Sequence, residues 1–160
     1  MAKTLDCSNI LFSVEKDQVD IHQLRELFDA TAFWAQSRSL EDLQTAVEYS
    51  DPVVTVWDGD RMIGFTRGTS DGIFRATIWD VVIHPDYQGL GLGRKLVETL
   101  ISHPRMNRVE RIYLMTTHQQ KFYERIGFKE NQTTTMVLHN HDHPVSIISC
   151  QLEEANPLPV

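Results

Sequence analysis

In IWDVVIHPDYQGLGLGRKLVETLI, residues 78–101, strand, loop and helix signals follow one another without a break. From 74 to 83 the residues are largely β-branched and apolar, which predicts a central strand buried on both faces. Pro85 ends that strand, and the run Gln88-Gly89-Leu90-Gly91-Leu92-Gly93 forms a loop. Leu96, Val97, Leu100 and Ile101 then recur at helical spacing, in a helix that extends to about His103 and is closed by Pro104. A glycine loop that opens onto a helix suits a phosphate group. Glycine accepts positive φ and lets a ligand approach the backbone, while the unpaired N–H groups and positive dipole end of the helix attract an anion. Arg94 and Lys95 add positive charge at the same mouth.

Spacing separates three glycine-loop readings. The dinucleotide fingerprint G-x-G-x-x-G, begun at Gly89, would need glycine where Arg94 stands, and the P-loop string G-x-x-x-x-G-K-[ST] is absent. The string Gln-x-x-Gly-x-Gly fits, although a glycine turn that merely packs helix on strand would give the same short pattern.

Upstream, residues 53–57 and 62–69 are β-rich runs joined by Asp58-Gly59-Asp60, and Ser70-Asp71-Gly72 gives a second turn into the central strand. Earlier still, 10–14 alternates weakly as a first strand. Asp20 is a candidate N-cap for a helix over 21–35, and Ser39 with Asp42 resembles a capping box for a second helix to about Tyr49. Downstream, 111–116 reads as a strand and 119–126 as a short helix ended by Gly127 as a left-handed cap. Two late strands are expected near Phe128 and over 135–138. With no repeat, low-complexity tract or linker, a single α+β domain over 1–160 is expected, an antiparallel meander followed by a βαβα half.

The 160 residues, 41% hydrophobic, can bury a sizeable core without disulfides or structural metal. Cys7 and Cys150 stand near opposite ends, a usage that suits reduced thiols. The start MAKTLDCSNI has no long apolar core, and nowhere do about 18 apolar residues run together, so neither signal peptide nor membrane span is expected and the cytoplasm is the expected location. A formal charge of -7 argues against a protein that grips nucleic acid phosphates and weakly favours cationic substrates.

The run from Gln88 to Gly93 resembles the acyl-CoA pyrophosphate loop of the GNAT superfamily, in which [Arg/Gln]-x-x-Gly-x-[Gly/Ala] follows the fourth strand. Further on, Lys121-Phe122-Tyr123-Glu124-Arg125-Ile126-Gly127-Phe128 looks like the FYxxxGF segment of the same superfamily. The two motifs stand in the family's order and cover 65–128 well, the early helices only loosely. Within the superfamily, Thr66-Arg67-Gly68-Thr69-Ser70-Asp71 followed by the run from Ala76 to Ile83 looks like the plastid and cyanobacterial serotonin N-acetyltransferase branch.

That resemblance implies a mixed sheet of six to seven strands with about four helices, its fourth and fifth strands splayed apart. Acetyl-CoA, the implied co-substrate, would lie in the splay on the backbone of Val81, Val82 and Ile83. Its pyrophosphate would sit on Gly89, Leu90, Gly91, Leu92, Gly93 and Arg94, with Gln88 just before them. It implies direct transfer of the acetyl group to a primary amine through a ternary complex, without a metal, and for this branch an arylalkylamine such as serotonin or tryptamine. A homodimer is common among such proteins.

An alkyl amine with a pKa near ~10 must lose a proton to become nucleophilic, and the departing thiolate needs one. Resemblance places Tyr123 as the general acid; a packed tyrosine with a satisfied hydroxyl is the plain alternative. Asp80, a carboxylate in an apolar strand, is a candidate base, acting directly or through water, or else is tied up structurally. His84 could serve instead. Phe33 and Trp34 sit at helical spacing with Phe28 and read first as core; otherwise, with Trp79, they could face an aromatic amine. His139, His141 and His143 alternate as a metal site could, but Asn140 and Asp142 favour a solvated tail. Two other readings remain open: acetylation of protein lysines or N-termini, and a catalytically silent acyl-CoA-binding module.

Overall fold

In the computed structural model, residues 9–139 are described. Two polar side chains open the first helices. The Asp20 carboxylate accepts the Gln23 N–H at 3.1 Å at the head of α1 (Ile21–Thr31), and the Ser39 hydroxyl accepts the Asp42 N–H at 3.0 Å at the head of α2 (Leu40–Glu48). The first helix is shorter than its spacing predicts. It stops at Thr31, whose hydroxyl donates back to the Leu27 carbonyl at 2.6 Å, and Phe33–Ala35 form a separate 3-10 turn. Two more helices follow, α3 (Leu92–Ser102) and α4 (Gln120–Glu124).

The sheet holds β1 (Ile10–Ser13), β2 (Val53–Asp58), β3 (Arg61–Ser70), β4 (Arg75–Ile83) and β5 (Arg111–Tyr113), in that spatial order. Neighbours are antiparallel except β4 and β5, which are parallel and joined through α3. The mixed α+β class is as expected, but the described residues form five strands rather than six or seven. The late strands are not formed: 129–139 hold neither helix nor strand, and Met136 is 91% exposed. Strand-prone residues that cover nothing gain little by pairing. The chain divides into two compact units, Met1–Phe128 and Lys129–Val160, and the elements above all belong to the first.

Helices cover both faces of the sheet in that unit. One core packs Leu96, Val97 and Leu100 of α3 on Val54, Ile63 and Ile78; the other packs Leu24 and Phe28 of α1 and Leu43 of α2 on Phe65 and Val82. Of the glycines, Gly64 has the least room, since an added Cβ would lie 2.7 Å from Ile83 Cδ1 and 2.9 Å from Val56 Cγ2. Gly64→Ala is therefore expected to cost roughly 1–3 kcal/mol of stability in denaturant titration, by overpacking the end of β4.

β4 is not the uniform strand its apolar run predicts. Phe65 pairs with Val82 and Arg67 with Trp79, so Thr66 alone faces both Asp80 and Val81. This β-bulge puts Asp80 at φ +55, a left-handed conformation that aspartate tolerates better than most side chains.

Candidate donor and acceptor site

β5 pairs with β4 over Arg75↔Arg111 to Thr77↔Tyr113 only. It ends at Tyr113, short of the predicted 116, while β4 runs on to Ile83. Among the described residues, alternate main-chain N–H and C=O groups of 78–83 thus lack a strand partner on that side. The side chains here are committed: Val82 packs toward α1 and α2, Val81 and Ile83 toward α3. Only backbone from Val81, Val82 and Ile83 is left to face the gap.

Beyond Ile83 the chain is braced before it turns. His84 Nδ1 accepts the Asp86 N–H at 3.2 Å, so this histidine caps the turn Pro85–Tyr87. The buried Tyr87 hydroxyl donates to Asp58 Oδ2 at 2.6 Å, and that bond, with burial, raises the phenol's pKa. Gln88 Nε2 donates to the Ile83 carbonyl at 3.0 Å, so its side chain holds the loop to the strand end.

Gly89 and Gly91 then take φ +79 and +78, and Gly91 is the N-cap of α3. The first helical bond runs from the Lys95 N–H to the Gly91 carbonyl, which leaves the N–H groups of Leu92, Gly93 and Arg94 without helical acceptors. A Cβ at Gly89 or Gly91 would meet no atom of the described residues within 4 Å. Among the described residues these three donors are free, and three free donors at a dipole end beside open space fit a phosphate group. Gly93 has another use: its Cα side faces Phe122, and a Cβ there would stand 3.6 Å from the ring. Of the flanking residues, Leu90 is exposed and the Leu92 side chain is core. The side-chain charge expected at this mouth is largely spent elsewhere. Arg94 pairs with Glu98 at 2.7 Å, and Lys95 Nζ lies 4.5 Å over the Phe12 ring on the β1 side.

Tyr123 sits in α4 with its ring edge-on to Phe122 at 4.9 Å and Phe128 at 5.9 Å. Gly127, at φ +114, lets the chain fold back so that the Phe128 N–H reaches the Tyr123 carbonyl at 3.1 Å. Burial pushes the Tyr123 phenol up to about 12. Among the described residues no hydrogen bond holds its hydroxyl, and none links it to Asp80.

Asp80 is engaged by two guanidinium groups. Its carboxylate, 8% exposed, meets Arg67 Nε at 2.6 Å and Arg38 Nη1 at 3.5 Å. Arg67 also donates to Ser50 Oγ at 3.1 Å, and Ser50 in turn donates to the Ala46 carbonyl of α2. The sequence assigns neither arginine a role, Arg67 standing only within the run 66–71, though a charge within the apolar run 62–69 and a carboxylate in the next one are the signal for a cross-strand pair. Trp79 is half-buried, its indole N–H donating to Thr69 Oγ1 at 2.9 Å and Arg67 lying 5.8 Å over its ring. Phe33 and Trp34 are not core. They are 75% and 52% exposed and stack edge-on at 5.2 Å, because α1 ends before them and their turn faces outward. His139 is exposed, while His141 and His143 lie outside the described residues. Among the described residues no group of three His, Cys, Asp or Glu is placed to hold a metal, and no helix is long and apolar enough to cross a membrane.

Fold and site define a mixed α+β protein whose sheet opens beside a bulged strand, at the N-terminus of a glycine-turned helix. The Acetyltransferase (GNAT) family matches residues 21–128, and the chain belongs to it; that family uses acetyl-CoA. The chain is 36% identical over 118 residues to serotonin N-acetyltransferase 2, chloroplastic, of Oryza sativa subsp. japonica, covering 69% of this chain and 56% of that protein. It is 36% identical over 132 residues to histone acetyltransferase TAP1 of Glycine max, covering 75% and 52%. The overlap thus spans little more than half the length of either relative. A crystal structure of a GNAT-family protein from Xanthomonas campestris pv. campestris superposes with a TM-score of 0.71 at 25% identity, covering 81% of this chain and 93% of that one.

Proposed function

We propose that the chain transfers an acetyl group from acetyl-CoA to a primary amine, with the site built within the unit Met1–Phe128. The observation that carries this reading is the strand edge of 78–83, which among the described residues runs from a one-sided gap into three unpaired N–H groups at the head of α3. A long donor with a diphosphate at one end matches both halves. The donor supplies the acetyl thioester, and the chain's own groups do the rest. Backbone of Val81 to Ile83 aligns the arm, and the N–H groups of Leu92, Gly93 and Arg94, turned outward by Gly89 and Gly91, take the phosphates.

Tyr123 serves as proton donor to the leaving sulfur. Its desolvated phenol stays protonated at any working pH, and the same apolar surroundings raise a thiolate's demand for a proton. For the amine's proton the candidate is Asp80. Two guanidinium contacts favour a fixed, ionic role for it over direct proton abstraction, with water carrying the proton away.

The acceptor we favour is a small arylalkylamine. Supporting this are the exposed Phe33–Trp34 pair, the hydrogen-bonded indole of Trp79, and the rice relative's name. With Asp80 already paired, the ammonium is not expected to dock on that carboxylate. The soybean relative's name and the acidic charge favour a protein lysine as second reading. Thiol release from acetyl-CoA, followed for tryptamine, a polyamine and a lysine-containing peptide, decides between them. We expect kcat/KM for tryptamine to lead by about tenfold or more. A tenfold preference for the peptide overturns the arylalkylamine assignment, and no release with any amine leaves a silent acyl-CoA-binding module. A reducing aqueous compartment, cytosol or plastid stroma, suits the cysteine usage.

A further inference from the structure

We propose that Arg67 is a positioning residue for the donor site: it acts through the Asp80 carboxylate to hold the bulge of β4, and so the backbone from Val81 to Ile83. This rests on the reading of that strand edge as the donor site.

Two fixings hold the bulge where main-chain pairing is interrupted. Thr66 Oγ1 donates to the Trp79 carbonyl at 2.9 Å, a side chain standing in at the interruption, and Arg67 Nε grips Asp80 at 2.6 Å. Asp80 is the residue whose φ of +55 redirects the strand, so a force on its carboxylate acts at the pivot. Arg67 is itself anchored. It lies on β3 opposite Trp79, stacks over that indole, and reaches α2 through Ser50. Arg38 joins the far side of the same carboxylate, over the Phe28 ring at 5.6 Å, which ties the loop ahead of α2 to the bulge. An arginine whose only task was to neutralise a buried acid would need neither the stack nor the link to α2. The arrangement fixes direction as well as charge.

The test uses the full chain and compares Arg67→Met, Arg67→Lys, Asp80→Asn and the double variant Arg67→Met/Asp80→Asn. Asparagine tolerates the left-handed backbone, so Asp80→Asn removes the charge without forcing the pivot. The double variant leaves neither the buried carboxylate nor the Arg67 guanidinium unpaired; it frees only Arg38, whose side chain is 34% exposed and can be solvated. Calorimetry with acetyl-CoA, steady-state kinetics and melting curves are read together. We expect Arg67→Met and Asp80→Asn to weaken acetyl-CoA binding alike, by about tenfold, with the double variant no worse than the weaker single one. Arg67→Lys, which keeps charge but not the fork, should recover part of the melting temperature but little of the affinity. Wild-type affinity in a folded double variant overturns the positioning role. So does an Asp80→Asn that loses turnover at low pH while binding acetyl-CoA normally, since that is the behaviour of a base. Should the wild-type chain itself fail to bind acetyl-CoA, the donor-site reading falls first and this proposal with it.

Discussion

Replacing Tyr123 with Phe is expected to lower kcat by about 10²-fold or more while leaving acetyl-CoA affinity within about twofold of wild type. The substitution keeps the ring that packs on Phe122 and Phe128 and removes only a hydroxyl that bonds to no described residue. What it takes away is a donor needed as negative charge develops on the leaving sulfur, an interaction stronger in the transition state than in the ground state. With the phenol at about 12, no alkaline loss of activity from Tyr123 should set in below about pH 11. The same shift has a consequence for stability. An unfolded tyrosine titrates near ~10, so the folded chain holds this proton more tightly. Its contribution is complete below pH ~10 and is lost as pH rises through about 12, amounting to roughly 2–3 kcal/mol across the window. Tyr123→Phe should accordingly lose less stability than wild type between those pH values. A kcat within threefold of wild type would make Tyr123 a packing residue.

Local rules reached the helix starts at Asp20 and Ser39, the stop at Gly127 and the glycine turns ahead of α3, because each depends on residues a few positions apart. Features that depend on a second strand were not legible in the same way. A run such as 74–83 shows apolar content but not its register against β3, and the bulge at Asp80 exists only in that register. The pairing of Asp80 with Arg67 and Arg38 likewise requires knowing which faces meet. Phe33 and Trp34 lie outside the core that their spacing first suggests, because helical spacing carries no mark of where a helix ends, and α1 ends at Thr31. The length of β5 was overestimated for a related reason, since strand propensity continues past Tyr113 whether or not a partner does.

Glycine 91 offers the sharpest test of the donor site, because strain and obstruction can be separated there. At φ +78 any side chain is strained, by roughly 1–2 kcal/mol for an L-residue and most for a β-branched one. Yet the space where its Cβ would point holds no atom of the described residues within 4 Å, so among those residues a side chain there obstructs nothing but what binds outside the loop. Gly59, in the turn between β2 and β3, has φ +57 and equally open surroundings; its hairpin meets the turn at 84–87 through Asp58 and Arg61, and Gly59 is not part of the glycine loop. Both Gly91→Val and Gly59→Val should therefore lower the melting temperature by similar amounts. Only Gly91→Val should weaken acetyl-CoA, by about 30-fold or roughly 2 kcal/mol, the order expected for losing a charge-assisted backbone bond and crowding its neighbours. Melting curves and calorimetry on the two variants side by side make the comparison. Equal acetyl-CoA affinity in both would mean that the glycine turn serves only to pack α3 against β4, and that the phosphates bind elsewhere.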